Sequence, residues 1–288
     1  MSHILTDHQY GKQSVRLVHV DRGADRHRLC DLTVDVTLTG DVADSYHSGD
    51  NSKVLATDSQ KNTVYAFARQ FGLANPEALG LRLARHFVHS QPAVSRARVC
   101  LARHDWQPTD GCHSFRRVEA EQRTVTITHD GERSWLLGGV SGLTLLKTTG
   151  SEFRGYPRDP YTTLPEAADR LLATTVQARW RYASVEPDAA WDDDFRSARS
   201  ALIDAFANTY SRSLQQTLHA MACSVLDAVP SIVEVRLVLP NKHHLLVDLT
   251  AFQLDNPAAV YVATEEPYGL IEGTVARAGA ADPGLAWW

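Results

Sequence analysis

From Leu32 to Thr39 the chain reads LTVDVTLT, and its side chains alternate without a break. Leu32, Val34, Val36 and Leu38 are apolar; Thr33, Asp35, Thr37 and Thr39 are polar. Successive side chains of an extended chain point to opposite faces, so this stretch can bury one face and wet the other only as a strand. The preceding SVRLVHV sets Val15, Leu17 and, less clearly, His19 against Arg16, Val18 and Val20. The polar VDRGADRH between the two runs predicts a turn, and hence a strand pair. Paired antiparallel strands with one apolar face need a second layer over that face.

That layer is legible downstream. Residues 40–53 are rich in Gly, Asp and Ser and predict a loop. TDSQKNTVYAFARQFG predicts a helix ending at Gly72. NPEALGLRLARHFVHS predicts a second, with Asn75 as N-cap, Pro76 at the first helical position, and Leu79, Leu83 and Phe87 on one face. Strands follow in AVSRARVCLARHDW, HSFRRVEA and RTVTIT, and HDGE, with Asp130-Gly131, predicts a hairpin turn. The second half repeats the plan. TTVQARWRYASV alternates like a strand. Helical spacing runs from Trp191 to about Asp227, carried by Phe195, Ala198, Leu202 and Phe206 and then by Leu214, Leu218, Met221 and Val225, with a break near Ser211. SIVEVRLVLP returns to period two, with Val233, Val235, Leu237 and Leu239 on one face. Each half reads strand pair, helix pair, strand pair. The expected class is α+β, in two halves, 1–131 and 132–288, with antiparallel sheets and helices on one side.

Composition narrows the function. The chain has 288 residues, 43% of them hydrophobic and 22% charged, enough to bury a core without staples. A net charge of −5 argues against a nucleic-acid protein. No uncharged apolar run approaches the roughly 18 residues of a membrane span. MSHILTDHQYGK shows no apolar leader core, and GLAWW is not a Ser-Lys-Leu address, so the expected location is the cytoplasm. The four cysteines, 30, 100, 112 and 223, form no C-x-x-C pair, so reduced thiols are expected rather than disulfides or structural zinc.

Four clusters carry candidate chemistry, each with a plain alternative. In KVLATDSQ, Thr57 and Gln60 match a capping box; the same helix start, with Asp58, is also a potential anion site. In TTLPEAADR, Thr163 and Glu166 match another, which would put Arg170 on a helix, paired with Glu166 or forked onto a planar acceptor. In LPNKHHLLVDL, His243 and His244 interrupt two apolar runs. They are hydrogen-bonded rim residues, or one of them is a general base; a third ligand at metal spacing is missing. Lys12, in QYGKQSV, is solvated unless it lies beside a buried partner.

Together with longer motifs, these clusters resemble the urate oxidase (uricase) family. The resemblance runs over nearly the whole chain: YGK, DNSKVLATDSQKNTVY, GLTLLKTTGSEFRGYPRD, YTTLPEAADRLLATTVQARWRY, SLQQT, LPNKHH and NPAAVYVATEEPYGLIEGTV stand in the family's order. It points to the actinobacterial members in particular. It implies the tunnelling fold (T-fold), two tandem ββααββ halves, and a homotetramer with active sites between subunits. It implies oxidation of urate by dioxygen to 5-hydroxyisourate and hydrogen peroxide, with neither metal nor organic cofactor. By this resemblance Arg170 and Gln215 clamp the urate edge, Phe153 stacks on its plane, and the Leu214 backbone N–H adds a hydrogen bond. Thr57 and Asp58 come from a neighbouring subunit, Asn241 with Thr57 holds dioxygen, and Lys12, Thr57 and His243 relay protons. As partners two apart on one strand, Asn241 and His243 would face the same side, with Lys242 and His244 facing away. Residues 91–115 fit the family pattern less well, with GCHSF at 111–115. Two other readings use the same residues: another tunnelling-fold enzyme acting on a pterin or purine, and a purine-binding protein without catalysis.

Overall fold

The computed structural model describes residues 3–23, 26–110, 113–118, 120–186 and 189–288. The chain divides into two compact units. One comprises residues 1–139, 180–195 and 279–288; the other comprises 140–179 and 196–278.

The first unit opens with the expected strand pair. β1 (Tyr10–Asp21) and β2 (Arg28–Gly40) run antiparallel, from Tyr10 opposite Leu38 to Asp21 opposite Arg28. Residues 24 and 25 of the predicted turn lie outside the described residues. Leu32, Val34, Val36 and Leu38 are fully buried while the threonines between them are half-buried, as period two requires. The stretch 40–53, expected to be loop throughout, contains a one-turn helix, α1 (Ala43–His47). Serine closes it at each end: Ser45 Oγ donates to the Val42 carbonyl and Ser48 Oγ to that of Asp44.

α2 (Thr57–Phe71) stops at Gly72, whose φ of 76° suits glycine. α3 (Pro76–Ser90) starts as predicted, with the Asn75 side chain accepting the Ala78 N–H at 2.9 Å. Its Leu79, Leu83 and Phe87 are buried. Gly80 lets the helix sit close to the sheet, since a Cβ there would press on the Ile127 and Leu101 side chains at 2.8 and 2.9 Å. Those residues belong to β3 (Val94–His104) and β6 (Gln122–His129), which complete the order β1-β2-β3-β6. β4 (Trp106–Pro108) and β5 (Phe115–Arg117) form a separate ribbon, and Gly111 and Cys112 of GCHSF fall outside the described residues. The HDGE turn holds as predicted: Asp130 Oδ1 accepts the N–H groups of Glu132 and Arg133 before β7 (Ser134–Lys147) begins. A buried ion pair crosses the unit, from Arg123 Nη2 to Glu77 Oε1 at 2.7 Å, and Arg123 also reaches Asp192 and stands over the Phe195 ring.

The second unit takes the rest of β7 and β8 (Leu172–Tyr182) up to Arg179. α4 (Trp191–Asn208), from Arg196 onward, and α5 (Leu214–Ala228) follow, separated where the periodicity breaks around Ser211. β9 (Ile232–Lys242) pairs antiparallel with β12 (Gly269–Ala276), and β10 (His244–Leu246) with β11 (Tyr261–Ala263). Val235, Leu237 and Leu239 are buried as expected, but Val233 is only half-buried and Ile232 takes the core position. The strand enters from a turn in which Ile232 N–H bonds the Val229 carbonyl, and the alternation starts only after it.

In chain order, ββααββ occurs twice: β1, β2, α2, α3, β3, β6, then β7, β8, α4, α5, β9, β12. Cys30 and Cys223 are free thiols, while Cys112 lies outside the described residues. Among the described residues no helix is long and apolar enough to cross a membrane.

Candidate active site

The second unit builds a clamp from three short segments. Gly150, Ser151 and Glu152 run beside Ser211: the Gly150 carbonyl accepts the Ser211 N–H at 2.9 Å, and the Ser211 carbonyl accepts the Glu152 N–H at 2.7 Å. On the other side Phe153 exchanges both backbone hydrogen bonds with Ala167, at 2.8 and 3.0 Å, and the Ser151 carbonyl accepts the Arg170 N–H at 2.8 Å. Residues 163–170 are therefore a bridge-forming loop and not the helix that the Thr163–Glu166 pattern suggested. The Glu166 side chain makes no cap; its Oε1 accepts the Gly155 N–H at 3.0 Å, a tertiary bond that outcompetes the local one. Arg170 is thus presented from a loop beside Phe153.

The two side chains meet. The Arg170 guanidinium carbon lies 5.2 Å from the centroid of the Phe153 ring. That ring is stacked with Tyr156 at 4.9 Å and 15°, and Tyr156 is tethered by its hydroxyl to the Leu164 carbonyl at 2.6 Å. Arg170 Nε is buried and donates to nothing in the protein, and burial pulls the guanidinium pKa down from its ordinary value. A desolvated cation with an unused donor beside an aromatic face is arranged for a planar anionic acceptor, which a guanidinium can grip with two parallel hydrogen bonds.

Leu214 and Gln215 open α5. Ser213 caps the helix, its Oγ accepting the Gln216 N–H at 3.2 Å, while Gln216 Oε1 reaches back to the Arg212 N–H at 2.8 Å. Leu214 is buried and Gln215 is exposed, and the free N–H groups of this first turn include that of Leu214. Ser211, bonded to Gly150, ties this helix start to the clamp segments. Asn241 sits near the end of β9 opposite Gly269. His243 is the single residue between β9 and β10, so it and Asn241 do not lie on one continuous strand. The His243 carbonyl accepts from the Thr264 N–H at 2.9 Å and hydroxyl at 3.1 Å. Lys242 lies 3.6 Å from Glu265, and His244 Nδ1 is 3.3 Å from the Lys242 carbonyl. Among the described residues no hydrogen bond or ring contact joins Asn241 or His243 to Arg170 or Phe153.

Lys12, Thr57 and Asp58 belong to the first unit. Gly11 lets β1 close on β2 beside Lys12, since a Cβ there would collide with the Val36 carbonyl. A bulge between Lys12 and Val15 follows, with Ser14 in the left-handed region at φ 57°. The Tyr10 hydroxyl accepts the Leu55 N–H at 3.1 Å and so fixes the approach to α2. The expected capping box is not made. Ala56 is the N-cap, Thr57 is the first helical residue, and the Gln60 side chain turns back to the Leu55 carbonyl at 3.2 Å. Thr57 is consequently left half-buried at a helix start without capping duty. Asp58 pairs with Lys61 and accepts from Asn62 at 3.0 Å. Its carboxyl is held below the ordinary range chiefly by Lys61, then by Asn62 and by the charge of Lys12, which lies within electrostatic reach.

The sequence reading missed Tyr10, Tyr156, Asp169, Ser213 and Gln216. Only the last two carried a local signal, the S-x-x-Q pattern directly before an apolar helix. Among the described residues no three His, Cys, Asp or Glu side chains are grouped to hold a metal ion.

A doubled ββααββ order with antiparallel sheets defines a tunnelling-fold protein, and its candidate site sets a guanidinium beside an aromatic ring. The family model described as uricase matches residues 8–128 and 137–272. The uricase of Arthrobacter globiformis is 47% identical over 285 residues, 99% of this chain and 93% of that one. The uricase of Dictyostelium discoideum is 38% identical over 282 residues, 95% of this chain and 97% of that one. The crystal structure of the Arthrobacter globiformis uricase superposes with a TM-score of 0.95 at 46% identity, covering 99% of each chain. The chain belongs to the uricase family.

Proposed function

We propose that this protein oxidises urate with dioxygen and water to 5-hydroxyisourate and hydrogen peroxide. Two electrons leave the purine, two are taken up by dioxygen, and water supplies the new hydroxyl. The observation that carries the reading is Arg170, a desolvated guanidinium with a buried, unused Nε donor beside the Phe153 ring. Urate is planar, anionic and electron-rich. Arg170 forks onto one edge, the Gln215 amide takes the neighbouring donor–acceptor pair, and the Leu214 N–H adds a third bond. Phe153 lies against the purine plane. Held as an anion, the purine gives electrons to dioxygen directly, so the protein has to position, stack and move protons.

In this reading Asn241 and Thr57 hold dioxygen and then water above the ring. Lys12, Thr57 and His243 pass protons between substrate and peroxide, and the reaction uses neither metal nor organic cofactor. Thr57 and Asp58 come from a neighbouring subunit of a homotetramer whose protomer is built from the halves 1–131 and 132–288. Support for assembly comes from exposed apolar side chains on β10, β11 and β12, among them Leu245, Leu246, Val262 and Leu270, each about half exposed.

The test follows urate's near-ultraviolet absorbance with purified, chelator-treated protein, beside oxygen uptake and peroxide release. Equal loss of urate and oxygen with matching peroxide, unchanged by chelator, is the expected result. Urate binding without oxygen uptake would replace the reading with a purine-binding protein. Activity that chelator removes and zinc restores would replace it with a metal-dependent enzyme.

A further inference from the structure

Arg170 and Phe153 sit on separate segments, and their spacing depends on what fastens those segments together. The backbone supplies the Phe153–Ala167 pair and the Arg170–Ser151 bond. One side chain closes the same end of the ladder. Asp169 Oδ1 accepts the Ser151 N–H at 3.2 Å and the Arg170 N–H at 3.1 Å, and Oδ2 accepts the Thr149 hydroxyl at 2.6 Å. We propose that Asp169 is a positioning residue: its carboxylate staples the Thr149–Ser151 backbone to the backbone of Arg170 and thereby sets the gap between guanidinium and ring that the planar substrate must enter.

The proposal rests on the urate oxidase reading and deepens it. Among the described residues the Asp169 carboxylate makes no hydrogen bond to the Arg170 guanidinium; both of its bonds on this side are to backbone N–H groups. Asp169 therefore leaves Nε free for a ligand while holding the residue that carries it. Glu166, bonded to Gly155 N–H at 3.0 Å, closes the far end of the ladder but lies beyond Phe153 from Arg170. The carboxylate is exposed, so losing it opens no cavity in the core, and the one buried group it leaves without its acceptor is the Ser151 N–H of the staple itself. The expected effect is on site geometry rather than on folding.

Asp169→Ala removes all three acceptor bonds. Asp169→Asn keeps Oδ1 as an acceptor for the Ser151 and Arg170 N–H groups. Thr149→Val removes only the hydroxyl donor. In full-length protein, Asp169→Ala should raise KM for urate about tenfold and weaken binding of a non-oxidisable xanthine by the same factor, from the loss of charge-assisted bonds. Its unfolding midpoint should stay near that of the unaltered protein. Asp169→Asn should recover most of the affinity, and Thr149→Val should fall between. Unchanged KM in Asp169→Ala, an Asn variant as weak as the Ala variant, or an affinity loss that follows a drop in unfolding midpoint would each overturn the proposal while unaltered protein still consumed urate. Failure of the unaltered protein both to consume urate and to bind the xanthine would overturn the functional reading and this proposal with it.

Discussion

Replacing Arg170 by methionine separates the needs of the site from those of the fold. Methionine keeps an apolar stem against Phe153 and removes the guanidinium. In the free protein that guanidinium is a burden, because its Nε is buried without an acceptor and burial disfavours its charge. A buried, unsatisfied donor costs about 1–3 kcal/mol, and for a half-buried residue the lower end applies. The lost contact with the Phe153 ring, worth about 0.5–1 kcal/mol, offsets much of the gain. The net effect on stability is expected between zero and about +1 kcal/mol. Urate binding should move the other way. Two hydrogen bonds to a charged group, at about 1.5–3 kcal/mol each, amount to roughly 3–5 kcal/mol after partial replacement by water. At about 1.4 kcal/mol per decade that is a loss of roughly 10²- to 4 × 10³-fold. The assay pairs KM for urate and Kd for a non-oxidisable xanthine with the denaturant midpoint of the same preparations. A KM within about threefold of the unaltered protein would refute the clamp. A stability loss above about 1 kcal/mol would show that the guanidinium serves the fold instead.

Three further outcomes can be checked. Lys12→Met should lower kcat by about 10²-fold or more while leaving xanthine Kd within about twofold, since a relay group acts on protons and not on affinity; preserved kcat in stopped-flow turnover would remove Lys12 from the relay. Glu77→Ala should destabilise the first unit by about 1–3 kcal/mol in denaturant titration, because the buried Arg123, now 2.7 Å from Glu77, is left with Asp192 as its carboxylate partner. At Asp31, burial pushes the carboxyl up, but hydrogen bonds from Arg16 at 2.7 and 3.1 Å and from Trp106 at 2.9 Å outweigh it and hold the pKa below its ordinary value. A depressed carboxyl stabilises the fold above its unfolded value, about 3.9, and the contribution is lost as pH falls through the folded value. Asp31→Asn should thus be the less stable protein at pH 7, with the gap closing below about pH 4; a gap constant down to pH 2 would contradict the assignment.

The periodicities alone determined most of the long strands and helices of this protein. Alternation at Leu32–Thr39 and around Val235–Leu239, and four-residue spacing through Leu79, Leu83 and Phe87, admit one secondary structure each, because only that geometry hides the apolar atoms. Asn75 and Pro76 specified a helix start because cap and first-turn bonds are made within a few residues. The same local logic failed at Thr57 and at Thr163. There Gln60 bonds the Leu55 carbonyl and Glu166 bonds the Gly155 N–H, partners set by how segments pack and not by spacing. The residue types of the site were likewise legible: arginine, phenylalanine and an amide in motifs of the family's order. What made them a candidate site was not. Arg170 acquires its buried, unpaired Nε only when residues 149–153 and 167–170 are knitted together, and Tyr156, Tyr10 and Asp169 acquire their roles only through partners 8, 45 and 20 residues away. Desolvation and long-range hydrogen bonds depend on what the folded chain brings nearby, so tertiary structure decided them.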